Sequence, residues 1–482
     1  MALIAVVAIP VLAALLCCVR PLRKIAWGIT VASTSVVFAL AVYVSAEVIA
    51  SGRVIAVPGW FECDGLSALM LLLVGFVSAL ACVFAGGYMR HGEHDGKARL
   101  WWFYLNYNLL VFALLAVPAL AEPNLTWVAV ELVTLFSVLL VGFDNTASAL
   151  EAAWKFAVLT IMGAPIALFG FFTLFWAYRS ATGGSWETWE GLRTAASSMD
   201  PNLLKLSFLL VFVGFGAKSG LAPMHTWLPD AHSQAPTPVC AVLSGVKTTV
   251  PLYVILRFLS IVLASPAARL GNWMVVLGLI SVGIAAFLLL QVRDYKRMFA
   301  YSTVEHMGVI LTAAGLATQA SDFGAVSQML NHAVTKSLCF YVAGVILLVL
   351  STREIQSVRG LFRISPFAGS MLVLCSLAIA GAPPFPIFLS EFSILSAGMR
   401  IGQYTVVAIL GTLIVIAFVA IMLHVNGMVF GKPTAPRLTE ALPASCRFAV
   451  LVAAAPVVLL GVYIPAPVHD LLQLAAQQLG GR

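Results

Sequence analysis

Charged residues are scarce in this chain: lysine, arginine, aspartate and glutamate together make up 10% of it, whereas hydrophobic residues make up 61%. This composition excludes a soluble globular protein, which needs far more polar surface. Apolar stretches long enough to cross a hydrocarbon core about 30 Å thick recur from one end of the chain to the other. The longest polar interval, around residues 178–201, is too short for a soluble domain. The sequence therefore predicts an all-α integral membrane protein with about 14 transmembrane helices.

Signals of redox or nucleotide chemistry are also missing. The eight cysteines are scattered, and none falls in a CxxC pair or an iron–sulfur ligand spacing. Neither a glycine-rich phosphate loop nor a dinucleotide-binding fingerprint occurs. The first apolar run starts at Met1 without a preceding basic region, which argues against a cleaved signal peptide. We therefore expect no cofactor, no metal and no catalytic nucleophile in this chain.

The basic residues are spread over many loops, although the net charge is +7 at pH 7. When the apolar runs are numbered from the N-terminus, fifteen lysines and arginines lie in loops on one side of the membrane and eight in loops on the other. This distribution argues against nucleic acid as a partner. By the positive-inside rule the richer side faces the cytoplasm, which places both termini outside the cytoplasm.

Two of the predicted helices are interrupted at matching places. Helix seven contains "GFGAKSGLAPMHTWLPDA" and helix twelve contains "AIAGAPPFPIFLSEF". Glycine and proline at such positions free backbone groups, which membranes tolerate only in a protein-lined interior. Two broken helices five apart indicate two repeated halves, helices four to eight and helices nine to thirteen. We expect helices one to three in residues 1–99, the repeats in 100–264 and 265–430, and helix fourteen with a short interfacial helix in 431–482.

Six ionisable residues lie inside apolar runs instead of at their ends: Lys155, Lys218, Lys247, Lys336, Glu131 and Glu391. A charge at membrane depth is costly and indicates a functional site by default. The choice of lysine over arginine is informative, because a desolvated ammonium can release its proton near neutral pH and guanidinium cannot. This pattern is typical of a path that moves protons.

Spacing suggests how these residues cooperate. Glu131 in helix five and Lys218 at the break of helix seven form the best candidate ion pair, in which the loss of one charge changes the proton affinity of the other. His332 and Lys336 are four residues apart on one face of helix eleven and form a natural relay. Glu391 in helix twelve is the expected terminal proton donor or acceptor.

Other positions leave two interpretations open. Lys155 is either a relay member or a lysine that reaches the surface and pairs with Glu151. Lys247 in helix eight either links the two halves or is a structural cation held by carbonyls. His306, predicted near the start of helix ten, is a candidate relay residue on the cytoplasmic side. The loop residues Asp230, His225 and His232 are expected to shape a cytoplasmic loop.

Four ordered motifs give the chain a family resemblance. They are "KSGLAPMHTWLPDAHSQAPTPV", "DYKRMFAYSTVEHMG", "NHAVTKSLCFYVAG" and "GAPPFPIFLSEF". Over residues 60–430 the chain resembles the antiporter-like proton-translocating subunits of respiratory complex I, Mrp antiporters and membrane-bound hydrogenases. It is most similar to the F-type membrane subunit of hydrogenase-4 and formate hydrogenlyase-like complexes.

The resemblance implies two inverted five-helix repeats with broken helices seven and twelve, and it implies roles for particular residues. Glu131 and Lys218 match the glutamate–lysine pair of the family, Lys336 matches its central lysine, and Glu391 occupies a terminal site where some members have lysine. Helix eight departs from the pattern. Ser244 stands where many relatives have histidine, and others have a lysine at a position that corresponds to Thr249. Lys247 lies two residues earlier, about 200° around an ideal helix.

The resemblance also implies a function and partners. The chain is expected to be a non-catalytic, proton-translocating subunit in a prokaryotic inner membrane, in contact with lipid, other membrane subunits and a peripheral oxidoreductase arm. Alternatives are a cation/proton antiporter subunit, the membrane subunit of an inorganic-carbon uptake pump, and a structural subunit that conducts nothing. The series of buried ionisable residues argues against the last of these.

Overall fold

The structure is a computed structural model that describes residues 1–91, 99–184, 188–268, 270–436 and 442–480. Over these residues the chain forms twenty α-helices and one small β-hairpin. The first ten helices are α1 Ala2–Cys18, α2 Ala26–Ser51, α3 Gly65–Tyr88, α4 Leu100–Ala119, α5 Pro123–Val141, α6 Ala147–Thr182, α7 Trp189–Ala195, α8 Pro201–Ser219, α9 Trp227–Gln234 and α10 Thr237–Val242. The others are α11 Thr249–Leu263, α12 Trp273–Gln291, α13 Tyr295–Leu316, α14 Gln319–Leu350, α15 Leu361–Ile364, α16 Pro366–Ile379, α17 Pro386–Arg400, α18 Tyr404–Phe430, α19 Ala444–Val462 and α20 Ala466–Gly480.

The predicted all-α membrane architecture is confirmed. Within the described ranges, eleven helices are long and apolar enough to cross a membrane. The other three predicted spans are also helical, but α1 has only 17 residues, α13 is more polar, and the α16–α17 pair is broken. The count of fourteen membrane-spanning segments therefore stays a prediction, whereas a multi-pass membrane protein is established.

Both predicted helix breaks are present. Residues 220–226 separate α8 from α9, and residues 380–385 separate α16 from α17. Gly220 directly follows α8, and Gly381 lies two residues after the end of α16. Their φ angles are +75° and +77°, a conformation that glycine adopts without steric cost. Because a helix leaves its last carbonyl groups without intrahelical donors, each break provides free acceptors in the interior of the protein.

The predicted helix eight, which the structure divides into α10 and α11, contains a feature that the sequence did not reveal. Residues Leu243–Lys247 form a π-helical turn between α10 and α11, and the amide of Thr248 donates to the carbonyl of Leu243 at 3.2 Å. One extra residue in this turn shifts the helix face of the side chains after the turn relative to those before it. Lys247, which departs from the register expected from the family, lies in this π-turn. The whole segment from Thr237 to Val262 is buried, so α10, the π-turn and α11 lie in the core of the bundle.

A β-hairpin and a short helix lie in loops where the sequence predicted no regular structure. Strands β1 (Val54–Val57) and β2 (Phe61–Cys63) pair antiparallel between α2 and α3. Helix α7 lies within the polar interval around residues 178–201, and the amide of Trp189 at its start donates to the carbonyl of Ala121 at 3.1 Å. The hairpin ends directly before Asp64, which caps the N-terminus of α3.

Arg257 is one of the eight basic residues that the sequence placed in loops on the side poorer in positive charge, and the structure corrects this placement. It is buried in α11 and forms a bidentate ion pair with Asp64, at 2.5 Å and 2.6 Å, while Ser67 and Tyr253 complete its hydrogen bonds. Burial opposes ionisation of Asp64, but the adjacent Arg257 guanidinium outweighs it and lowers the pKa of Asp64 below its usual value. The pair joins the ends of α3 and α11.

We expect Arg257→Leu to destabilise the protein by about 3–5 kcal/mol, because it leaves the Asp64 carboxylate buried without a partner. Thermal unfolding of the purified protein in detergent measures the loss. The matched control is Glu190→Gln, which removes an exposed ion pair with Arg193 at 4.0 Å and should cost less than about 1 kcal/mol. Equal stability of the two variants would contradict a supporting role for the buried pair.

Helix α20 is more than a surface tail. Five of its apolar residues are buried: Leu471, Leu472, Ala475, Ala476 and Leu479. This stripe includes most of the residues that the sequence placed on one face, although Val468 is only partly buried. The helix packs on α3 and α14 and so covers one end of the bundle. Arg193 of α7 donates to Gln478 at 3.0 Å and fixes the helix further.

Candidate functional site

Lys218 and Glu131 form the expected ion pair. Lys218 Nζ lies 3.0 Å from Glu131 Oε2 and donates to Thr134 Oγ1 at 2.8 Å. The lysine side chain is 1% exposed, and that of the glutamate is 22% exposed. Lys218 occupies the last turn of α8, where the helix dipole favours a cation. These three residues are called the first half-site below.

Close contact between two helices fixes the position of Lys218. A Cβ added to Gly163 of α6 would lie 2.4 Å from the carbonyl oxygen of Gly214, and one added to Gly214 of α8 would lie 2.4 Å from the carbonyl oxygen of Gly163. Real side chains do not fit at such distances, so only glycine at both positions allows the two backbones to meet. The helix that carries Lys218 is therefore held directly against α6.

Lys247 lies next to the first half-site. Its Nζ donates to the carbonyl of Lys218 at 3.2 Å, an acceptor that the end of α8 leaves free. It also lies over the rings of Trp227 and Phe156, at 4.0 Å and 4.4 Å from their centroids. The contact with a carbonyl fits the interpretation of Lys247 as a structural cation. Because this carbonyl belongs to Lys218, the same contact also joins Lys247 to a residue of the first half-site.

Ser244, in the π-turn between α10 and α11, connects this segment to the second half of the bundle. Its hydroxyl lies 2.6 Å from Thr303 Oγ1 of α13. Where the family resemblance led us to expect histidine, this chain therefore has two hydroxyl groups in contact across the two halves. Each hydroxyl can donate and accept a hydrogen bond, so the pair has the chemistry of a proton-conducting link.

Lys336 is the central cation of the second half. It is fully buried in α14, and its Nζ donates to the carbonyl of Phe299 at 2.6 Å and to Ser302 Oγ. Unlike Lys218, it takes part in no ion pair in the described part of the chain. A buried ammonium with neutral hydrogen-bond partners is one that can be neutralised by release of its proton.

His306 lies at the middle of α13, not near its start as the sequence suggested, because the helix begins at Tyr295. Its Nε2 lies 3.0 Å from the carbonyl of Ile379, which the end of α16 leaves free, and its Nδ1 lies 2.9 Å from Gln328 Nε2. The amide NH₂ can only donate, so Nδ1 accepts and Nε2 carries the proton. His306 therefore lies at the second helix break.

Glu391 lies beside His306, with Oε1 3.9 Å from His306 Nδ1. The carboxylate fits against Gly381 in the helix break, since a Cβ added there would lie 2.4 Å from Glu391 Oε2. Ser390 donates to Gln328 Oε1, which itself contacts His306. Lys336, His306, His332 and Glu391 are called the second half-site below.

Several buried polar atoms in the second half-site and next to it have no protein partner among the described residues. Both ring nitrogens of His332 belong to this group, although the ring lies 5.6 Å from that of His306, centroid to centroid. Glu305 Oε2 and Thr335 Oγ1 share this property. Buried polar groups of this kind are where proteins bind internal water, which is the medium that carries protons between side chains.

Lys155 is different from the other candidates because its side chain is 46% exposed. Its Nζ lies 2.7 Å from Glu151 and 3.2 Å from Asp230, and Asp230 also pairs with Arg297 at 2.6 Å. Ion pairs at such exposed positions contribute little to stability. These contacts join the N-terminal part of α6 to the first turn of α9. They are compatible with both interpretations of Lys155, as a relay member and as a surface lysine.

Glu305 is a candidate that sequence reasoning set aside. It is 3% exposed and lies on α13 one helical turn from Ser302, the partner of Lys336. Lys296, which the sequence assigned to a loop, is also buried, and it donates to the carbonyls of Ser233 and Ala235. The signal for Glu305 was available, since it is a carboxylate inside a predicted helix, but the adjacent His306 was favoured as the relay residue.

Comparison with known families matches most of the chain. The family described as NADH:quinone oxidoreductase/Mrp antiporter, TM, matches residues 124–417. A second family, described as NADH-Ubiquinone oxidoreductase (complex I), chain 5 N-terminus, matches residues 54–99. The first match contains every candidate residue of both half-sites.

Individual proteins show the same relation. The Hydrogenase-4 component F homolog of Methylacidiphilum infernorum is 35% identical over 426 residues, which is 86% of this chain and 88% of the relative. Among solved structures, a chain of an archaeal respiratory membrane complex, the membrane-bound sulfane sulfur reductase, aligns with a TM-score of 0.88 at 23% identity over 99% of this chain and 98% of its own. A chain of the Mrp complex from Dietzia sp. DQ12-45-1b aligns with a TM-score of 0.86 at 18% identity, over 99% and 97%. The two structures share the fold of this chain.

Proposed function

The chain belongs to the NADH:quinone oxidoreductase/Mrp antiporter family of transmembrane proteins, and we propose that it translocates protons as a subunit of a redox-driven complex in a prokaryotic cytoplasmic membrane. The observation that carries this proposal is the pair of half-sites. Each includes residues at a broken helix, and each combines a buried lysine with a carboxylate. The name of the hydrogenase-4 relative supports partners of the hydrogenase type, with other membrane subunits and a peripheral oxidoreductase arm.

The order of the residues suggests a route. A change of charge in a partner, near Glu131 or the surface lysine Lys155, alters the stability of the ammonium of Lys218. The proton of Lys218 then passes by Lys247 toward Lys336 in the second half. From Lys336 it reaches Glu391 through His306, His332 and internal water, and Glu391 exchanges it with one side of the membrane. The two repeats, in 100–264 and 265–430, each contribute one half-site.

The complex as a whole provides the test of this function. The assembly that contains this chain is purified, reconstituted into sealed vesicles with a pH-sensitive dye inside, and supplied with its electron donor and acceptor. Acidification or alkalinisation that depends on turnover and disappears with a proton ionophore supports the proposal. Turnover in sealed vesicles without any pH change contradicts it.

A cation/proton antiporter is the second candidate, and the shared fold with a chain of an Mrp complex favours testing it. The same vesicles distinguish the two functions. An antiporter produces a pH change when a gradient of Na⁺ or K⁺ is imposed without any electron donor. A redox-driven proton pump produces none under those conditions.

The orientation proposed from the basic loops, with both termini outside the cytoplasm, has a direct test. Cys18 is exposed at the end of α1, whereas the other cysteines in the described part of the chain are buried. Cys18 lies beside Arg20 and Arg23 on the side rich in basic residues. We expect a membrane-impermeant maleimide to label Cys18 in inside-out vesicles and not in right-side-out vesicles. Cys18→Ser is the control that should abolish labelling, and the reverse pattern would invert the topology.

A further inference from the structure

Lys247 is a buried cation without a counter-ion. It is 1% exposed, and none of the ion pairs in the described ranges includes it. Among the described residues, Lys247 Nζ donates one hydrogen bond, to the carbonyl of Lys218 at 3.2 Å. One carbonyl does not replace the hydration of an ammonium, so other groups must stabilise the charged form.

Two aromatic rings supply this stabilisation. Lys247 Nζ lies 4.0 Å from the centroid of Trp227 and 4.4 Å from that of Phe156. Both distances are well inside the range of about 6 Å for cation–π attraction. The electron-rich faces of the rings attract an ammonium, whereas a neutral amine gains nothing comparable. The rings therefore distinguish the two protonation states of Lys247.

The broken helix holds this arrangement together. The two rings are stacked, with centroids 4.4 Å apart and an interplanar angle of 19°. The indole Nε1 of Trp227 donates to the carbonyl of Ala217 at 2.8 Å, next to the carbonyl of Lys218 that accepts from Lys247. Both acceptors belong to the last turn of α8. Lys247, whose ammonium contacts both rings, is the last residue of the π-turn at Leu243–Lys247.

We propose that Phe156 and Trp227 form an aromatic cage that holds the protonated form of Lys247 and makes Lys247 an intermediate carrier between the two half-sites. The inference rests on the proposed function and assigns a positioning role to two residues that do not themselves exchange protons. In the step concerned, Lys218 Nζ loses one proton and becomes a neutral amine, and Lys247 Nζ gains one and becomes an ammonium. The total charge is unchanged, and Glu131 remains an anion beside the neutral Lys218.

Repulsion between the two lysines makes the cage useful. Two neighbouring ammonium groups repel each other, and Glu131 forms its ion pair with Lys218 and not with Lys247. Without the cage, the proton would have no favourable position after it leaves Lys218, and it would return. With the cage, Lys247 holds the proton long enough for transfer toward Ser244, Thr303 and the second half-site.

Fluorinated phenylalanine at position 156 tests the cage without changing its shape. Mono-, di- and trifluorinated rings, introduced by amber suppression into the complete complex, withdraw electron density from the ring face in equal steps. We expect redox-driven proton translocation in sealed vesicles to fall with each step, by about tenfold in total. Translocation at the unmodified rate with the trifluorinated ring overturns the cage.

The matched control is Phe171 on the same helix. It is buried against Phe215 and Phe258, and no cation–π contact involves it in the described part of the chain. The same three rings at position 171 should leave translocation unchanged. Equal slowing at both positions identifies a packing effect and also overturns the cage. A failure of the proposed function looks different, because then even the unmodified complex moves no protons.

Discussion

Replacing Lys218 with methionine is expected to lower proton translocation at least about 100-fold, the effect of losing a positioned proton-transfer group. Methionine has a similar length and fits the same apolar surroundings, but it can neither bind a proton nor pair with Glu131. Turnover-dependent pH change in sealed vesicles that contain the complete complex measures the effect. Lys205→Met is the matched control, since this lysine lies near the start of the same helix and is only partly buried, and it should translocate as the unmodified protein does.

A double variant separates transport from stability at this site. Lys218→Met alone leaves Glu131 without its ion-pair partner, which should reduce the free energy of unfolding by up to about 3 kcal/mol. Adding Glu131→Gln removes the isolated charge, so we expect the double variant to regain most of that stability. Translocation should stay absent in the double variant. If translocation returned together with stability, the pair would be structural and the proposed route would be wrong.

The sequence identified the first half-site because the cost of burying charge is visible in a pattern of residues. Lys218 and Glu131 stand alone in long apolar runs, and the glycines and prolines after Lys218 indicate a broken helix. A pairing across 87 residues could then be predicted, since few other charges were available at the same depth. The same reasoning found Lys336 and Glu391. The structure places Glu391 against Gly381 at the second break, near His306, and Lys336 against Phe299 and Ser302 of α13.

Other parts of the structure depend on information that a local pattern does not contain. Arg257 lies near the end of an apolar run and was assigned to a loop, because its partner Asp64 is 193 residues away and the hairpin that positions Asp64 has no strong strand signal. The π-turn that ends at Lys247 was invisible for another reason. An ideal helical wheel assumes 3.6 residues per turn, and one π-turn invalidates it for all later positions.

The two helix breaks use the same physical device. At the first, carbonyls at the end of α8 accept from Trp227 and Lys247, and at the second, the last carbonyl of α16 contacts His306. A backbone carbonyl is a strong acceptor whose position is fixed by the fold. Broken helices therefore do more than allow titratable residues at membrane depth. They supply the acceptors that orient those residues.

Glu391→Gln is expected to lower translocation by about 100-fold or more, because the amide keeps the shape of the side chain but cannot exchange a proton. The carboxylate lies 3.9 Å from His306 and against Gly381, so an isosteric replacement should fit without a change in packing. The complex should therefore assemble normally, which thermal unfolding and subunit composition verify. The same vesicle assay of turnover-dependent pH change measures the loss.

Glu391→Lys distinguishes a proton-exchange site from a required negative charge. The family resemblance implies lysine at this position in some members, and an amine can also bind and release a proton. We expect the lysine variant to translocate protons faster than the glutamine variant, although more slowly than the unmodified protein. If the glutamine variant instead matched the unmodified protein, the terminal site would have to lie elsewhere. If lysine and glutamine were equally inactive, the anionic charge itself, and not proton exchange, would be what the second half-site needs from Glu391.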